Sequence, residues 1–156
     1  LNKVHWDIDP GKMTGLDVIQ AVVDGKLPPP PIAVHMNIKL VQAEFGRAVF
    51  VGTPIPEAMN PLGSVHGGWY GTIMDSAMGC AVHTVVPSGS AYTTLEYKVN
   101  ITRAAKVGVQ LRAVGTVQHH GRSTAVAEGT LVGVEDGKVY ATGSTTCIIL
   151  GQGKGN

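Results

Sequence analysis

The sequence predicts an α+β fold: an antiparallel sheet of about six strands, curled around one long central helix, with a short helix ahead of it. Three observations carry that prediction. Residues 69–86 form a run that is apolar on nearly every face, through Trp69, Ile73, Met74, Ala77, Met78, Cys80, Ala81, Val82 and Val85. A helix hydrophobic all round is a buried helix, and this one is too short and too broken by Gly to span a membrane. After it the pattern changes to period two, with turn signals between strands. Two further Val- and Phe-rich strands precede it. A sheet with one apolar face can bury a lone helix by curling around it.

At 156 residues the chain is expected to form one domain over 1–156, with its core at about 32–150. Hydrophobic residues make up 44% and charged residues 15%, which excludes a disordered chain. A formal net charge of +1 leaves no electrostatic footprint for nucleic acid. Neither a signal peptide nor a transmembrane segment is expected. Cys80 and Cys147 read as free buried thiols, which suits a reducing cytoplasm.

In chain order, residues 1–13 read as polar and irregular. Thr14-Gly15-Leu16-Asp17 has the form of a capping box, and Leu16, Ile19, Val22 and Val23 follow helical spacing to a stop at Gly25. That places a short helix at about 14–25. Pro28 to Pro31 reads as a stiff extended spacer. Strands are expected at 36–45 and 47–53, around Gly46. A Pro-rich loop then leads to Asn60-Pro61 and Gly63, which are turn formers. Leu95, Tyr97, Val99 and Ile101 alternate with Thr94, Glu96, Lys98 and Asn100, as on a half-buried strand. Further strands are expected at 107–118, 123–134 and 139–150, the last two joined at Asp136-Gly137, a tight hairpin signal. Residues 151–156 are Gly-rich and read as a frayed end.

The chemistry concentrates at residues 60–79. Asp75 lies too deep in the helix to cap it, and a carboxylate in an apolar setting is costly unless paired or protonated. Gly71 and Gly79 flank it at i−4 and i+4, Thr72 lies at i−3, and Gly68 lies two turns earlier. A core helix would carry Leu or Ile on that face, so the stripe is expected to meet a ligand, a second chain, or both. Gly67 and Gly68 leave the N–H groups of the first turn open to a ligand oxygen. One segment therefore offers donors for a developing oxyanion and, two turns on, a base or nucleophile, the two parts acyl transfer needs. A structural ion pair is the alternative for Asp75, and close packing on the sheet is the alternative for the glycines. Asn60 before Pro61 could serve the turn alone. Arg122, Arg103 and Lys106 suit phosphate, although surface charge is the default for each. His119, His120, His83 and His35 lack metal-ligand spacing, so no metal is expected. No serine sits in a G-x-S-x-G frame.

The pattern Asn60-Pro61-Leu62-Gly63-Ser64-Val65-His66-Gly67-Gly68, with Asp75 nine residues after His66, resembles the hotdog-fold acyl-CoA thioesterases, in particular the phenylacetic-acid-degradation (PaaI-like) group. The likeness continues through Thr94 to Asn100, Gly121 to Ala125 and Gly143 to Cys147, and covers about residues 14–150. It implies hydrolysis of an aryl- or short/medium-chain acyl-CoA to the free acid and CoA, with no cofactor beyond the CoA of the substrate. Asp75 would be the nucleophile or the base that activates water, and the Gly67 N–H would polarise the thioester carbonyl. Asn60 would orient the water or the carboxylate, His66 would support the loop and face the thioester side, and Thr94, or Thr93, would help place the water. Gly68, Arg122, Ser123 and Arg103 would meet the substrate or its CoA. The resemblance also implies a cytoplasmic homodimer with shared sites, Asn60 and His66 from one chain and Asp75 from the other, and often a dimer of dimers. Ile101-Thr102-Arg103-Ala104 departs from the family pattern, which bears on the shape of the acyl pocket or CoA channel. A non-catalytic acyl-CoA sensor and a hydroxyacyl-thioester dehydratase are the competing readings on the same fold.

Overall fold

The computed structural model describes residues 10–151. The readings for 1–9 and 152–156 lie outside the described residues. A single 3-10 turn, Pro10–Lys12, leads in. Helix α1 (Gly15–Val23) follows, with the expected capping box: the Thr14 side chain accepts the Asp17 N–H, and the Asp17 carboxylate accepts the Thr14 N–H. The proline stretch is more than a spacer, because Pro31 opens a short helix, α2 (Pro31–His35). Pro at the first helical position forfeits no hydrogen bond and has its φ already set.

The described residues hold six strands: β1 (Ile38–Glu44), β2 (Arg47–Gly52), β3 (Ala91–Ile101), β4 (Leu111–His120), β5 (Thr124–Gly133) and β6 (Val139–Leu150). They form one antiparallel sheet in the order β1-β2-β4-β5-β6-β3. The β4 strand begins four residues later than the period-two pattern suggests. Residues 106–110 make a turn instead, with Gly108 at φ +83°.

The central helix, α3 (Gly67–His83), lies against the sheet. Trp69, Tyr70, Ile73, Met74, Ala77, Met78, Ala81 and Val82 are buried in the core with Leu111, Ala113, Ala125, Ala127, Leu131 and Ala141. The small residues on the sheet are what let the helix approach. Gly115, Gly129 and Gly143 lie in one register row across β4, β5 and β6. A Cβ on Gly115 would stand 2.2 Å from the Ala77 carbonyl oxygen, and one on Gly129 would stand 2.9 Å from Met74 and Met78. Interiors pack too densely to absorb such overlaps without movement.

Strand β3 is the edge after β6, and it departs from the simple alternation. The ladder to β6 shifts register between Thr94 and Glu96, a β-bulge that leaves Leu95 unpaired. The bulge changes the parity read from the sequence only ahead of it, where Thr94, set opposite Tyr97 and Ile101 in that reading, shares their side. Tyr92 and Thr94 before it, and Tyr97 and Ile101 after it, all approach α3: a Cβ added at Gly79 would meet Tyr92 and Thr94, one at Gly71 would meet Tyr97, and one at Gly67 would meet Ile101. The expected burial of Leu95, Tyr97 and Ile101 is not observed, since they are 59%, 47% and 47% exposed on this edge.

Candidate active site

The helix carrying the site begins two residues earlier than its apolar run, because His66 caps it. The His66 Nδ1 accepts the Gly68 N–H at 2.8 Å, which leaves the imidazole proton on Nε2, turned away from the cap. The Gly68 N–H is thereby occupied. Among the described residues nothing accepts the exposed Gly67 N–H. Gly67 is the first residue of α3, where the helix dipole favours negative charge.

Asn60 builds the loop that delivers this cap. Its Oδ1 accepts the N–H groups of Leu62 at 2.9 Å and Ser64 at 3.2 Å, and its Nδ2 donates to the Ser64 hydroxyl at 2.8 Å. The turn role that the sequence offered as an alternative is therefore met in full. His66 is tied in by its own N–H, which donates to the Ala58 carbonyl.

Asp75 lies two turns along the helix, half-buried. Among the described residues no cation caps it. Its one side-chain partner among the described residues is Thr94, whose hydroxyl donates to Oδ1 at 3.1 Å. Burial raises the carboxyl's pKa above the usual carboxylate value, and the Thr94 bond opposes the rise without cancelling it. Of the two threonines it is Thr94 that meets Asp75, while Thr93 is exposed on β3. The glycine stripe beside Asp75 is partly covered by this chain's own Tyr97 and Tyr92, not left wholly to a ligand or second chain.

On the Tyr92 side Asp75 opens on a cavity of about 340 Å³. Ser76, Gly79, Cys80 and His83 continue its wall along α3, Thr94 and Tyr92 face them from β3, and α1, the prolines, Leu40 and Phe50 close the rest. Sequence reasoning missed this wall, although the i, i+4, i+8 series Asp75, Gly79, His83 was available to it. Burial pushes the Cys80 thiol up to about 12, with the Asp75 charge adding to it, so no thiolate nucleophile forms here at neutral pH. Burial also raises the Cys147 thiol and lowers the His83 imidazole, which keeps that ring neutral. The His83 and Tyr92 rings lie 5.0 Å apart, near the helix end.

The structure separates the expected residues into two groups. Asp75 and Thr94 meet. Asn60, His66, Gly67 and Gly68 cluster at the helix start, eight residues before Asp75 in the case of Gly67, or about 12 Å along the axis. One carbonyl cannot touch both groups within one chain. Arg103 stands at the helix-start end, its guanidinium 5.8 Å from the Tyr140 ring centre and its carbonyl accepting from the Tyr70 hydroxyl. Arg122 and Ser123 occupy the exposed β4–β5 turn. The Ser123 carbonyl accepts the Ile149 N–H, beside the far end of β3, so Arg122 and Arg103 lie at opposite ends of the sheet. No helix among the described residues is long and apolar enough to cross a membrane. Among the described residues no three His, Cys, Asp or Glu side chains group as metal ligands.

Residues 62–140 match the family model described as the thioesterase superfamily. No curated protein matches the chain in sequence. Solved structures do. The PaaI protein from the phenylacetic acid degradation operon of E. coli is similar with a TM-score of 0.77 at 21% identity, over 88% of this chain and 96% of that one. A phenylacetic acid degradation-related protein from Ralstonia eutropha JMP134 has a TM-score of 0.75 at 25% identity, over 83% of this chain and 98% of the other. A hypothetical thioesterase from Streptococcus pneumoniae TIGR4, solved with coenzyme A, has a TM-score of 0.69 at 25% identity, over 77% and 92% of the two chains.

Proposed function

This chain belongs to the thioesterase superfamily and is a PaaI-like thioester hydrolase of hotdog fold; from that premise we propose that its substrate is an acyl-CoA and that Asp75 acts on the thioester. The observation that carries the proposal is the half-buried Asp75 carboxylate, partnered by Thr94 and set at the wall of an otherwise largely apolar cavity. Asp75 takes a proton from water as the water oxygen bonds to the acyl carbon. The carbonyl oxygen gains charge beside the Gly67 N–H. The carbon–sulfur bond then breaks, and the CoA thiolate leaves with the proton that Asp75 held. A carboxyl with a raised pKa is better matched to that exchange near neutral pH than an ordinary one. Thr94 holds the carboxylate in place and helps place the water.

Two chains form each site. About 12 Å of helix separates Gly67 from Asp75, so a second copy brings its Asn60 loop, His66 and Gly67 to the first copy's Asp75. The β3 edge, with Leu95, Tyr97 and Ile101 exposed, supplies the surface on which the copies join, and two such dimers assemble further. Arg103, Arg122 and Ser123 are assigned to the substrate's CoA portion, the arginines to its phosphates.

The test is thiol release from a panel of aryl and aliphatic acyl-CoAs. Asp75→Asn keeps the Thr94 acceptor and loses the base, so kcat falls about 10²–10⁴-fold with little change in acyl-CoA binding. Undiminished turnover by Asp75→Asn would refute the assignment.

A further inference from the structure

The cavity beside Asp75 has a neighbour. A second cavity of about 350 Å³ lies under α1 and the prolines, lined by Val22, Val23, Gly25, Leu27, Pro28, Pro29, Ile38, Lys39 and Leu40. Three residues belong to the walls of both cavities: Val22, Pro29 and Leu40. They form the partition. Leu40 is buried, so its position is fixed by the core, and Pro29 is stiffened by its ring and by the prolines on either side. Val22 is half-buried on α1 and is the member whose size can change without disturbing the sheet.

The first cavity has a direction. Asp75, Gly79 and His83 follow one another along one face of α3, a span of about 12 Å from the carboxylate to the ring. A linear acyl group whose thioester sits at Asp75 extends past Gly79 through the space left between Tyr92, whose hydroxyl lies 3.4 Å from where a Gly79 Cβ would stand, and the apolar residues of α1. Its far end meets Val18, Ile19 and Val22.

We infer that Val22 is the stop that sets acyl length, holding the substrate to an apolar acyl group short enough to end before the partition, with the second cavity as the space a longer chain would enter. The inference rests on the acyl-CoA reading of the Asp75 site. Apolar pockets discriminate by about 10-fold or more for each methylene that fails to fit, so one side chain in the partition suffices to move the cutoff.

The experiment measures kcat/KM for straight-chain saturated acyl-CoAs from two to sixteen carbons, for the natural protein, Val22→Ala and Val22→Phe. The natural protein gives a length beyond which kcat/KM drops. Val22→Ala moves that drop to longer chains, raising the ratio of the first rejected length to the best length about 10-fold. Val22→Phe moves it to shorter chains. The two variants change volume in opposite directions, so a shared loss of folding cannot produce the pair of shifts. Unchanged length profiles in both variants overturn the role of Val22 while leaving the thioesterase reading intact. Failure of the natural protein to hydrolyse any acyl-CoA overturns the underlying reading, and the inference with it.

Discussion

At the scale of single residues, Asp75 couples function to stability. Its carboxyl is held above the ordinary carboxylate pKa by burial, so the folded chain holds that proton more tightly than the unfolded chain does. The contribution to stability is therefore full below the unfolded pKa and is lost as pH rises through the folded one. Ionised Asp75 is a cost at neutral pH, with one hydroxyl from Thr94 to offset it. Asn at this position keeps an acceptor for Thr94 and has no charge to bury. Thermal melts should show Asp75→Asn above the natural protein in Tm at pH 7, with the gap closing as the pH falls below about 4. A variant that is less stable at pH 7, or equally displaced at both pH values, would remove burial strain from the account of this group. The sequence exposed Asp75 because nothing in helix capping or core packing explains an acid there. It left Asn60 open, because one spacing serves a turn and a site equally. The loop hydrogen bonds settle that the residue builds the turn.

Among the elements, the long helix and the strands after it were legible because apolar periodicity reports burial directly. The β3 face was not. Tyr97 and Ile101 approach α3 as the alternation suggests, but one extra residue at Leu95 set Thr94, read on the opposite face, on Asp75. No local pattern announces such a shift, since it depends on the partner strand. Helix α2 was hidden by its opening proline, and the Gly115, Gly129 and Gly143 row was scattered through three strands until pairing aligned it. The start of α3 gives the element its own test. Gly67 is the first helical residue, its predecessor His66 has ψ 139°, and a Cβ there meets nothing closer than Ile101 at 3.5 Å. Proline fits such a position and differs chiefly in lacking the N–H. Gly67→Pro should fold with an unchanged far-UV spectrum and lose about 10²–10³ in kcat, the usual cost of one oxyanion donor. Wild-type turnover would show that this N–H does not face the reacting carbonyl.

For the molecule as a whole, the decisive quantity is the length of α3 between Gly67 and Asp75. A rigid helix cannot bring its first residue and its ninth to one atom, so the proposed chemistry requires a second copy. The edge strand β3 is where a second copy can extend the sheet, with its apolar side chains already exposed. Two lesions then behave differently from one. Take Gly67→Pro and Asp75→Asn, each inactive alone, and co-express them so that subunits pair at random. About half the dimers are mixed. In a mixed dimer, one site combines both lesions. The other combines the intact Gly67 of one chain with the intact Asp75 of its partner. Activity should return to about a quarter of the wild-type value per dimer. If donor and acid worked within one chain, every site in every dimer would carry a lesion and none would recover. A mixture as inactive as its components would therefore reject the shared site, whatever oligomer the protein forms.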